Sequence, residues 1–140
     1  MKQEDKELLL KDLCARLPYG VKVLNMAEGV NEVCELDSIM TSRKHKDKVF
    51  VSLTLPDDSV LTGIEMIKPY LRPMSSMTEE ENKEFAKIVV KSQDCSYQNN
   101  ESATTMLNDW YLSKGFDVRG LISKGLALEA LEDMYNLKKK

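Results

Sequence analysis

One histidine, one tryptophan and three cysteines are all that this 140-residue chain offers to several common kinds of active site. Each shortage excludes something. A lone His45 cannot form an imidazole cluster around a metal, and any Ser-His or Cys-His dyad would rest on this single ring. It lies among cations in Arg43-Lys44-His45-Lys46-Asp47-Lys48, where a solvated loop residue is the expected role. Cys14, Cys34 and Cys95 are odd in number and far apart, with no CxxC spacing. A disulfide framework and a zinc site are therefore not expected, and free thiols are. Gly115, Gly120 and Gly125 recur every five residues, which matches neither GxGxxG nor the Walker pattern. No apolar run approaches 18 residues, and the opening MKQEDKELLL has no apolar signal core after its charges. The expectation is a cytoplasmic protein without catalytic residues, metal or cofactor, and with no membrane partner. A net charge of −3 gives no global attraction to nucleic acid, which is not expected as a partner.

What is present is the composition of one folded domain. Apolar residues make up 42% and charged residues 31%. Residues 3–17 read as a helix with Leu9, Leu10, Leu13, Cys14 and Leu17 on an apolar face, stopped by Pro18 and Gly20. Val21 and Val23 start a first strand, Ala27-Glu28-Gly29 is a turn, and a second strand spans about Glu32 to Thr41. After the basic loop comes the clearest strand, with Val49, Val51, Leu53 and Leu55 on one face and Phe50, Ser52 and Thr54 on the other. Pro56-Asp57-Asp58-Ser59 is a turn in which proline fixes φ and aspartate bonds the local backbone. Val60 to Ile64 returns as a strand. One helical turn and an extended exit through Pro69 and Pro73 follow.

Four short strands on short loops predict a small antiparallel barrel, SH3-like, within an α+β fold. Residues 1–74 would hold the N-terminal helix and barrel, and residues 75–140 a helical tail packed on it as a single compact unit. In that tail Thr78 and Glu81 form a capping box, with Glu79 and Glu80 suited to a positive helix end. A helix to about Ser92, a second from Ser102 to Lys114, a short one over Val118–Lys124 capped by Asp117, and a half-helical Leu126–Leu137 complete the expectation.

The ligand-binding candidates follow from charge and ring chemistry. Arg43, Lys44 and Lys46 form a local cationic loop, while Arg72 and Arg119 flank a hinge and a helix start. Guanidinium groups suit bidentate binding of phosphate. Tyr70 and Trp110 are candidate stacking partners for a base, although core packing explains both. Adjacent acids such as Asp57-Asp58 point apart in a turn and are poor candidates for shared chemistry.

The stretches DLCARLPYGVKV (Asp12–Val23), IKPYLRPMSSMTEEE (Ile67–Glu81) and FDVRGLISKGLALEA (Phe116–Ala130) resemble a family of small uncharacterised proteins. That family is encoded by Bacteroides-type gut bacteria, often in their phages and mobile elements. Its last motif continues Ala-Pro-Glu-Gly-Met-Tyr, where this chain has Ala130-Leu131-Glu132-Asp133-Met134-Tyr135. The resemblance implies a non-enzymatic accessory binding protein. Such a protein would inhibit host antiviral defence by sequestering a nucleotide signal or by blocking a defence protein. The partner would be a host protein or a small anionic, nucleotide-like ligand, with a homo-oligomer as a further option. The alternative is a protein-interaction or nucleic-acid adaptor with an SH3-like barrel.

Overall fold

The computed structural model describes residues 2–29, 31–41, 44, 48–96, 100–131 and 134, the side chains of 28, 91–96 and 100–105 excepted. Helix α1 is Gln3–Arg16. It stops where expected: the N–H groups of Tyr19 and Gly20 both donate to the Arg16 carbonyl, and Gly20 takes φ +86°. Strands β1 (Lys22–Asn25), β2 (Glu32–Thr41), β3 (Val49–Thr54) and β4 (Ser59–Gly63) follow as an antiparallel meander. A 3-10 turn, Ile64–Met66, leads to β5 (Ile67–Leu71). Helices α2 (Glu79–Ser96) and α3 (Asn100–Ser113) form a hairpin, and β6 (Leu128–Glu129) pairs in parallel with β5.

The fold is α+β, with a six-stranded, mostly antiparallel open sheet in the order β4-β3-β2-β1-β5-β6 and three helices among the described residues. The expected barrel is not closed. β5 pairs with β1 instead of β4, so β4 and β6 remain edges. The sheet is nevertheless strongly curled. Laid flat, β4 and β5 would stand four strand spacings apart, about 19 Å. The four steps from Gly63 to Ile67 span at most about 14 Å, even fully extended.

Two local devices keep the curled sheet in register. Opposite β3, the pairing of β2 shifts between Leu36 and Ser38, leaving Asp37 as a bulge. The shift changes parity, so Cys34 and Leu36 face the core before the bulge and Ile39 after it. Pro69 stands opposite Val23 in the sheet interior. The Met26 N–H donates to the Met66 carbonyl, which makes 26/66 and then 24/68 the hydrogen-bonded pairs. Pro69 falls one step past 24/68, in the non-hydrogen-bonded pair with Val23, where β1 needs no donor.

The concave face holds the core. Val23, Val51, Leu53, Ile67 and Leu71 pack with Leu9 and Leu13 of α1. Leu121, Leu126 and Ala127, from the far end of the chain, close the same cluster. The buried face of α1 departs from the expected one. It consists of Leu9, Asp12, Leu13 and Arg16, while Cys14 is exposed. Two expectations for the tail are also corrected. Residues 118–124 form bends and turns, not a helix, and Gly120 breaks the path at φ +71°. Asp117 still caps them, accepting from the N–H groups of Leu121 and Ile122 at 2.8 and 2.9 Å. Leu128–Glu129 is strand, since the free edge of β5 offers these residues a hydrogen-bonding partner.

Candidate interaction surface

Of the seven residues singled out for ligand binding, Arg72 and Trp110 meet on the ring of Phe116. Arg43 and Lys46 lie outside the described residues. Lys44 is exposed in the loop between β2 and β3. Tyr70 is buried in β5.

Arg72 is 2% exposed and engaged through its whole guanidinium. Nε donates to Ser76 Oγ at 3.3 Å. Nη1 donates to Glu81 Oε2 at 2.7 Å and to the Lys114 carbonyl at 3.2 Å. Nη2 donates to Glu81 Oε1 at 2.6 Å and to the Ser76 carbonyl at 3.1 Å. All five donors of an arginine are thereby used. Its carbon centre also lies 4.2 Å from the Phe116 ring centroid. Glu81 is placed by the expected capping box: its N–H donates to Thr78 Oγ1 at 3.1 Å, and its carboxylate accepts from the Thr78 N–H at 3.0 Å. The charge-assisted bonds from Arg72 hold the Glu81 carboxyl well below its usual range, at about 2, against the opposing effect of burial.

Arg119 belongs to a second internal cluster. Its Nη1 donates to Asp12 Oδ1 at 3.0 Å. Arg16 binds the same carboxylate through Nε at 2.7 Å and Nη2 at 3.2 Å, and Nη2 also donates to the Phe116 carbonyl at 2.7 Å. Asp12 and Arg16 are fully buried, and Arg16 Nη1 has no partner among the described residues. Trp110 lies in a ring cluster, 5.9 Å from Phe116 and 5.5 Å from Phe85, and its Nε1 donates to Glu84 at 3.3 Å. These arginines and this tryptophan join the sheet to the helices.

The surface that stands out is the convex face of the meander. Met40 and Phe50 are directly opposed on β2 and β3, and Leu61 of β4 pairs across from Ser52 on the same face. Their exposures are 44%, 41% and 59%, and Val33 further along β2 is 46% exposed. Strand pleating puts them there: Val49, Val51 and Leu53 take the core side, so Phe50 must point outward. At the turn end of the same face lies a shallow hollow of about 280 Å³, lined by Lys22, Val33, Cys34, Glu35, Thr54, Leu55 and Pro56. Burial, and then the nearby Glu32, push the Cys34 thiol up, so it contributes as a small apolar group and not as a thiolate.

One part of this surface was legible early. An aromatic at position 50, on the otherwise polar side of the Phe50-Ser52-Thr54 alternation, breaks the pattern of a solvated face. Among the described residues no group of three or more His, Cys, Asp or Glu is placed to hold a metal ion, and no helix is long and apolar enough to cross a membrane. Compared with protein-family models, curated proteins and solved structures, the chain matches none.

Proposed function

We propose that this chain is a non-enzymatic protein-binding module, an SH3-like half-open barrel that docks a partner on the convex face around Met40, Phe50 and Leu61. The observation that carries the reading is the pairing of three large apolar side chains on the solvent side of a sheet whose other side already supplies the core. Exposed apolar residues scattered singly need no explanation, but neighbours on one rigid sheet do. The resemblance to proteins of phages and mobile elements supports a host protein as the partner, such as a component of antiviral defence. Sequestration of a nucleotide is the weaker reading, because Arg72 spends every donor inside the fold and Arg119 is paired with Asp12.

The test is affinity capture from the native host with the intact chain and with the Met40→Ser/Phe50→Ser variant. Cross-linking and mass spectrometry then map the contact. A partner held by the intact chain, cross-linked beside β2–β4 and lost with the variant, supports the proposal. A partner that binds both forms equally places the docking surface elsewhere. A retained nucleotide in native mass spectra of the gently purified protein would favour the sequestration reading.

A further inference from the structure

We infer that β4 is a self-pairing edge, and that two copies of this chain join antiparallel, Leu61 against Leu61, into one continuous sheet. The hydrogen-bond alternation of the β3–β4 hairpin leads to this. Leu55 and Asp58 close the turn by exchanging both N–H···O bonds, at 2.8 and 3.4 Å. Pairs alternate from there, so 53/60 and 51/62 are bonded to β3, whereas Ser59, Leu61 and Gly63 turn their N–H and C=O groups away from it. Among the described residues no strand pairs with the outward groups of Leu61, the Gly63 carbonyl starts the 3-10 turn Ile64–Met66 and keeps one lone pair for a partner, and the Ser59 N–H is met by Asp58 Oδ1 at 2.7 Å. The strand Ser-Val-Leu-Thr-Gly also carries no proline, lysine or charge of the kind that blunts a sheet edge.

The occupant is fixed by symmetry and charge. A two-fold axis beside Leu61 makes Leu61/Leu61 a bonded pair and sets each Ser59 opposite the other copy's Gly63. Side chains then agree in space: glycine faces serine, and Leu61 meets its own copy next to Phe50. The same axis brings unlike charges together. Asp57 and Asp58 are exposed at the Ser59 end of β4. Lys44 and Lys48 are exposed at the Gly63 end, since β3 opposes Gly63 with Phe50, two residues after Lys48. Antiparallel pairing sets the acidic turn of each copy beside the basic loop of the other. Glu65 lies over Gly63 at the same end, so the described charges there are the two lysines against one glutamate. A parallel or unrelated strand would gain the backbone bonds without this double match. The inference goes beyond the docking face described above, because it needs only the backbone of the edge and the charges at its two ends.

Sedimentation equilibrium of the full chain at micromolar concentration tests it. The expected result is a dimer for the intact protein and a monomer for Leu61→Pro. Proline removes the outward N–H of Leu61 while leaving every β3–β4 bond in place. Leu61→Lys serves as the second variant should proline disturb the strand, and at least a tenfold weaker association is expected from it. Circular dichroism checks that both remain folded. A charge exchange separates this edge from general stickiness. Asp57→Lys, which spares the capping Asp58, and Lys44→Glu/Lys48→Glu should each weaken self-association, and an equimolar mixture of the two should restore it as a heterodimer. An intact chain that stays monomeric at hundreds of micromolar overturns the inference. So does a dimer that survives both Leu61 variants, or a mixture that associates no better than its components.

Discussion

The inside and the outside of this curled sheet invert the usual arrangement in opposite ways. At the ends of the concave side, where the sheet meets the helices, Asp12, Arg16 and Arg72 are buried. On the convex side Met40, Phe50 and Leu61 are exposed. The buried charges have their explanation within the chain. Arg72 binds Glu81 and two carbonyls that converge from separate segments, and the Asp12 carboxylate gathers arginines from α1 and from residue 119. A desolvated charge costs several kcal/mol unless its partners are well placed; Arg72 uses all its donors, and Arg16 all but Nη1, which has no partner among the described residues. The exposed apolar groups, Met40 and Phe50 opposed to each other, are left open to solvent by the described residues. A buried charge with partners belongs to the architecture, and the exposed apolar groups are what the proposed docking face rests on.

Breaking the inner side should produce the largest effects. Asp12→Ala leaves Arg16 buried and facing Arg119, two cations without their shared carboxylate. Removing one partner of a buried pair costs about 3–5 kcal/mol. A protein of this size should lose roughly 10 °C or more in Tm by thermal denaturation. The double variant Asp12→Leu/Arg16→Met should be less damaging than Asp12→Ala alone, because it removes the charge instead of orphaning it. A double variant worse than the single one would mean that the pair contributes more than its own neutralisation.

The second cluster should be nearly as sensitive and less tolerant of a like charge. Arg72→Lys keeps the charge but cannot reproduce a fork spread over Glu81, Ser76 and Lys114. We expect it to lose about 2–3 kcal/mol of unfolding free energy in urea, within the range for lost hydrogen bonds to charged groups. Recovery to the stability of the intact chain would show that Coulomb attraction alone matters at this junction.

These clusters also show where the sequence could be read and where it could not. The positions of β1–β4 and of α1–α3 followed from period-2 and period-3.6 patterns, the helix expected over Val118–Lys124 did not form, and the Thr78/Glu81 capping box was visible as Thr-x-x-Glu. The buried face of α1 was not legible, because hydrophobicity alone selected Cys14 and passed over Asp12 and Arg16. Only a tertiary partner tells an i,i+4 Asp–Arg pair in the core from the same pair in water. Arg119 supplies that partner from 107 residues away. The parallel β6 was equally hidden, since two residues carry no period. On the candidate surface, Phe50 could be placed outward from the alternation, but its neighbours Met40 and Leu61 required the register, which the Asp37 bulge resets.

Acid should reveal the Arg72–Glu81 junction at a smaller scale. The folded carboxyl of Glu81 titrates at about 2 against an ordinary value of 4.5, so the folded state holds the ionised form more tightly than the unfolded chain does. Its contribution is complete above pH 4.5 and is lost as pH falls from there towards 2. The Tm difference between the intact protein and Glu81→Gln should therefore be constant above pH 5 and shrink across that window. A difference independent of pH down to 2.5 would assign the loss in the variant to geometry instead of charge.

The outer face should respond least in stability and most in binding, and this sharpens the comparison furthest. Phe50→Ser removes a ring that is 41% exposed from a strand whose core positions are Val49, Val51 and Leu53. Met40 stands directly opposite on β2, so a small loss is expected from the missing cross-strand pair, about 0.5–1 kcal/mol. Met40→Ser should cost about the same, and the double variant little more, since the two residues share one contact and a pair is lost only once. Urea denaturation would thus leave the double variant folded with nearly the stability of the intact chain, while capture of the docked partner falls at least tenfold. A double variant that loses 3 kcal/mol or more would mean that Met40 and Phe50 are a second core, and the convex face would then be part of the architecture and not a place for another protein.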